Sequence, residues 1–184
     1  MHDPLFLSFW LKHYSAIAMP LYLKKAAAVF PQSKLLPGGV LRIYPLSFQE
    51  APLHEEYFDG ALDPQAAAER AQLHLNDDVC FQVQLRWDLY QFTGDWELKP
   101  STVYLEIFGP EFDTPRGEHV RIDLGPQRLY LPEEKSDNLR PVQANIRSLL
   151  HLAQDLENEL VAERRLLWSE DEENFAERLK ALLD

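Results

Sequence analysis

Between Val79 and Phe92 the chain alternates without a break. Val79, Phe81, Val83, Leu85, Trp87 and Leu89 fall on one side, and Cys80, Gln82, Gln84, Arg86, Asp88 and Tyr90 on the other. A period of two over this length predicts a half-buried antiparallel strand, because successive side chains of a strand point to opposite faces. Thr93-Gly94-Asp95 then supplies turn chemistry for a hairpin. Residues 96–98 and 102–108 read as the returning strand, with Lys99-Pro100 as an interruption. Val103, Leu105 and Ile107 continue the buried face.

Further strands follow from the same pattern. Residues 40–44 read as a strand stopped by Pro45, and 118–124 as another with Val120, Ile122 and Leu124 inward. Residues 128–131 read as a short edge strand, and 47–62 as an irregular, aromatic-bearing loop. Asp63-Pro64 is a cap followed by a first-turn proline, so 65–75 is predicted to be a short helix.

Helical periods flank this region. Asp3-Pro4 resembles a helix start, and the following run, with Leu5, Phe6, Phe9, Trp10 and Tyr14, predicts a helix apolar on most of its circumference. From Pro141 the apolar residues Val142, Ile146, Leu149, Ala153, Leu156 and Leu160 are spaced 4-3-4-3-4. That stripe predicts a long helix, continuing towards Leu167, that lies across a sheet or another helix. Ser169 and Glu172 have the spacing of a capping box and predict one more helix to the end.

The fold class expected is therefore α+β: a mostly antiparallel sheet of four or five strands packed against N-terminal and long C-terminal helices. The expected organisation is one domain over 1–184. It comprises an N-terminal apolar helix in 1–30, a sheet-forming part in 40–131 and C-terminal helices in 141–184. The loop 109–117 and the segment 132–140 are the expected mobile pieces.

Composition narrows the function classes. Thirty acidic against 18 basic residues leave a net charge of −12, which argues against direct binding of nucleic-acid phosphates. The one cysteine, Cys80, allows no internal disulfide, so a reducing, cytoplasmic setting is expected. The start lacks the basic residues of a secretory signal, and Lys12 and His13 break the apolar run well short of a membrane span.

No phosphate-binding glycine loop, nucleophile elbow or paired-cysteine zinc spacing occurs. His54, Glu55, Glu56 and Asp59 form the best cluster of candidate metal ligands, although their spacing fits no regular ligand geometry. Cys80 follows Asp77 and Asp78, whose charge opposes thiolate formation. The two aspartates themselves read as a polar turn. No cofactor is predicted. An enzyme remains the lesser expectation, in the form of a small-ligand pocket or metal-dependent site using the 54–59 loop.

The favoured expectation is a non-enzymatic module (adaptor, chaperone-like or inhibitor) binding a protein partner or a second copy of itself. Trp96 beside a hairpin turn, with Tyr90, Tyr104, Phe108 and Arg86 on the polar side of the sheet, forms the candidate contact surface. A narrower form of this reading is charge mimicry of nucleic acid by Glu133, Glu134, Asp137, Asp155, Glu157, Glu159, Glu163 and Asp171 to Glu173.

Overall fold

The computed structural model describes residues 3–131 and 138–183. Seven strands form one sheet, each antiparallel to its neighbours: β1 (Pro4–Leu11), β2 (Gly39–Pro45), β3 (His54–Phe58), β4 (Val79–Phe92), β5 (Trp96–Phe108), β6 (Val120–Pro126) and β7 (Ala162–Trp168). Their order across the sheet is β3-β2-β4-β5-β6-β1-β7. The helices are α1 (Met19–Val29), α2 (Pro64–Gln72), α3 (Arg140–Leu160) and α4 (Phe175–Lys180). The α+β class and the antiparallel sheet agree with the sequence; the strand count of four or five does not.

The N-terminal apolar helix is corrected to a strand. Leu5, Leu7, Phe9 and Leu11 of β1 are buried on the helix-covered face, while Ser8 is buried on the other. Such a strand, inserted between β6 and β7, is apolar on both sides. Its run then loses the polar beat that separates strand from helix. A 3-10 turn at Ala16–Ala18 leads into the α-helix, which begins at Met19 with Pro20 in its first turn rather than at its end.

The C-terminal stripe is likewise cut. Val161 adopts a left-handed backbone (φ 51°) that ends α3, and the chain returns as β7 along β1. Ser169 and Glu172 bond to each other through their main chains, and α4 starts at Phe175 after an Asn174 that makes no side-chain cap. Residues 54–58, read as loop, form edge strand β3. Residues 127–129 form a 3-10 turn that buries Leu129 instead of an edge strand. Pro100 does not interrupt β5. There β5 pairs with β4 but has left β6, which runs beside residues 104–107 only, and an edge tolerates a missing N–H.

Other readings stand. β4 matches its predicted span, and Asp63 caps α2 by accepting the Gln65 N–H at 3.0 Å. The core is the alternating face: Phe81, Val83, Leu85, Val103, Leu105, Ile107 and Ile122 lie beneath Leu23 and Ala26 of α1, Ala67 of α2, and Ile146, Leu149 and Leu156 of α3. Among the described residues no helix is long and apolar enough to cross a membrane.

Candidate functional site

Among the described residues the opposite face of the sheet carries no helix layer, and its two ends are built differently. At one end a single register row crosses six strands: Glu55, Arg42, Gln82, Glu106, Arg121 and Ser8. Opposite charges alternate along it, as cross-strand neighbours favour. Arg42 Nε meets Glu55 Oε2 at 2.8 Å, and its Nη1 donates to Gln84 Oε1 at 2.8 Å. Glu106 accepts from Arg121 Nε at 2.8 Å and from Gln82 Nε2 at 3.1 Å. The Arg121 guanidinium also faces the rings of Phe6, Phe108 and Phe48 at 4.8, 5.2 and 5.8 Å. Phe48 and Phe112, from the loops 46–53 and 109–119, close over Cys80 and Phe108.

The ionisable groups at this end are largely buried. Burial pushes the Glu106 carboxyl up, against the pull of Arg121, and both its oxygens are already engaged. Burial also pushes the Cys80 thiol up, which removes the thiolate a nucleophile requires. His119 is held below the usual histidine range by burial, and its Nδ1 accepts the Leu11 N–H at 2.8 Å. It serves as a neutral structural acceptor.

At the other end β4 and β5 run on alone. The ladder to β2 stops at Gln84 and the ladder to β6 at Tyr104, so the rest of the hairpin forms a two-stranded arm. Gly94 turns it with φ 88°, a conformation that favours glycine. Cross-strand pairs Tyr90 with Leu98 and Phe92 with Trp96 share a face, and the Phe92 and Trp96 rings lie 5.4 Å apart.

Two devices fix the arm. Asn145 of α3, 1% exposed, takes the place of a missing strand: its Oδ1 accepts the Tyr90 N–H, and its Nδ2 donates to the Tyr90 and Leu129 carbonyls, each at 2.9 Å. Asp88 anchors the loop 33–36 along the free edge of β4. It accepts from the Ser33 hydroxyl and from the Lys34 and Leu35 N–H groups, and Ser33 N–H donates to the Arg86 carbonyl at 2.7 Å. Burial alone would raise the Asp88 carboxyl, but these donors outweigh it and hold the group low.

The sequence-derived contact residues separate on this map. Tyr90 is exposed on the arm, Trp96 is half-buried there, and Arg86 and Tyr104 are half-buried on the adjoining sheet. Phe108 is 1% exposed beneath Phe48 and Phe112, so it is corrected from contact residue to core. Phe92 and Leu98, which the sequence reading did not select, are 62% and 46% exposed. The signal for Phe92 lay in the strand alternation itself, which places it beside Tyr90. Asn145 gave no signal, because an asparagine within a helix is ordinary until the strand end beside it is known.

Of the four candidate metal ligands, His54 and Glu56 come together, with Nε2 3.5 Å from Oε2, and the other two do not join them. On β3, His54 and Glu56 point one way and Glu55 the other, where Arg42 and Tyr57 hold it. His54 stacks on His74 of the 73–76 turn, with centroids 4.8 Å apart, and Glu56 pairs with Arg70. Asp59 lies past the strand end. Among the described residues no group of three or more His, Cys, Asp or Glu side chains could hold a metal ion. Compared with known proteins, the chain matches no family model, no curated protein and no solved structure.

Proposed function

We propose that the chain is a non-enzymatic protein-interaction module that engages a protein partner through the β4–β5 arm. One observation carries this reading: Tyr90, Phe92 and Leu98 stand exposed together on a hairpin held rigid by Asn145. Leu35 and Leu36, 56% and 49% exposed on the tethered loop beside it, extend the apolar surface. Aromatic anchors ringed by polar groups are the usual make-up of an interface centre, and rigid ones lose little entropy on binding. Arg86, Gln84, Tyr104 and Thr102 supply the polar surround. The net charge of −12 favours a partner with a basic rim over nucleic acid. The cytoplasmic setting and the choice between a different protein and a second copy belong to this same proposal.

Charge mimicry is the weaker form of it. Glu157, Glu172 and Glu173 are paired within the chain, to Arg165 at 3.0 Å, Arg178 at 2.8 Å and Arg116 at 3.4 Å. Glu133, Glu134 and Asp137 lie outside the described residues, as does most of the expected mobile segment 132–140.

The test is affinity capture from the native host with mass-spectrometric identification, with light scattering to detect self-association. The variant Tyr90→Ser/Phe92→Ser/Leu98→Ser should lose the captured partner, or the dimer, by about 30-fold or more, the scale of a hot spot. Unchanged affinity in that variant, correctly folded by circular dichroism, overturns the reading.

A further inference from the structure

On the helix side of the sheet, the C-terminal end of α1 and the middle of α3 leave an open cleft of about 400 Å³ above β4. Its volume lies towards the small end of ligand sites, roughly 300–1,000 Å³. Val29 and Leu152 give it apolar walls, and Trp87 lines it from the sheet. Arg147, His151 and Asp155 stand at the same cleft from one helix.

Two donors there have no protein acceptor. Trp87 is 4% exposed, and its Nε1–H, which is not fully enclosed, makes no hydrogen bond among the described residues. Arg147, an exposed side chain, likewise has no carboxylate or carbonyl partner among the described residues, where nine ion pairs occur away from the cleft. The histidine at this cleft is already paired: His151 Nε2 lies 3.4 Å from Asp155 Oδ2.

We propose that this cleft binds a small organic carboxylate with an apolar body, its carboxylate taken by Arg147 and the Trp87 N–H and its body lying against Val29 and Leu152. The open groups are both donors, so the ligand must bring acceptors. A single guanidinium fork matches a planar carboxylate. A phosphate dianion would need more cations than the cleft offers in a protein of net charge −12. Asp155 is the acidic residue at the cleft, held beside His151, and the remoter acidic charges are screened beyond about 8 Å at physiological salt. This inference stands independently of the interaction arm.

The experiment is a proton–nitrogen NMR titration of the whole chain with phenylacetate and octanoate, with phenylacetamide as the uncharged control. The four tryptophans give four indole resonances, and Trp87→Phe identifies the one to follow. Expected is a saturable shift of the Trp87 resonance by at least one acid, with Kd below about 1 mM. Phenylacetamide and the Arg147→Met variant should each weaken binding about tenfold or more. Ser148→Trp, at an exposed position lining the cleft, should fill it and abolish binding. No shift with either acid up to about 10 mM, equal binding of acid and amide, or unchanged affinity in Arg147→Met overturns the proposal.

Discussion

The two faces of the sheet come from the same strands, yet they are held by different physics. The core of the helix-covered face is aliphatic and aromatic, and its stability is a matter of area and fit. The other face is mixed: a sealed end built on a buried ion pair under three rings, and an open end with exposed aromatics. The lesson is that polarity in the sequence did not mark exposure. Glu106 and Arg121, 3% and 8% exposed, are far more buried than Phe92 at 62%.

The comparison breaks first where packing is densest. Phe81→Ala, on the covered face, should cost about 3–5 kcal/mol in denaturant unfolding, since it removes a fully buried ring and leaves a cavity. Arg121→Met should cost about 3 kcal/mol by leaving Glu106 buried without its partner. The double variant Glu106→Met/Arg121→Met should recover most of that loss, because an apolar pair of similar size carries no desolvation penalty. A double variant no better than Arg121→Met would show that the ion pair itself, rather than shape, holds the sealed end.

Asn145→Ala should cost about 2 kcal/mol, because the Tyr90 main chain and the Leu129 carbonyl lose a buried partner. It should also speed hydrogen exchange at the Tyr90 amide, which reads the loosening of the arm directly.

A pH effect sharpens the contrast. Burial raises the Asp123 carboxyl on the mixed face, against the Gly125 N–H and Arg121. A raised folded pKa means that the folded state keeps a proton the unfolded state has released. The contribution is therefore full below the unfolded pKa and fades as pH rises through the folded one. Lowering pH from about 7 to about 5 should then help the native protein relative to Asp123→Asn in paired denaturation curves. The same difference at both pH values would remove this assignment. The smallest effect belongs to the arm: Phe92→Ser should change stability by no more than about 0.5 kcal/mol.

Strict alternation along β4 made that strand, the hairpin and the core face legible without coordinates. The Asp63-Pro64 pair did the same for the start of α2. Local backbone preference and a period of two act over a few residues, so they survive in one dimension. The candidate site was half legible. Tyr90 and Trp96 could be named because they flank a recognisable turn. Phe108 was misjudged because the rings that bury it, Phe48 and Phe112, arrive from loops about 60 residues earlier and a few residues later in the chain.

What only the tertiary structure decided is where each strand lies and what covers it. Burial of β1 on both faces follows from its insertion between β6 and β7, a pairing made across more than 110 residues. The left-handed Val161 that turns α3 into β7 is likewise stabilised by pairing with β1, not by its own preference. Pairing partners and loop coverage are long-range, and chain entropy leaves them undetermined until the whole sheet closes. The same holds for the arm and the cleft: each exists because neighbouring elements stop short of it, and no local pattern records where a neighbour ends.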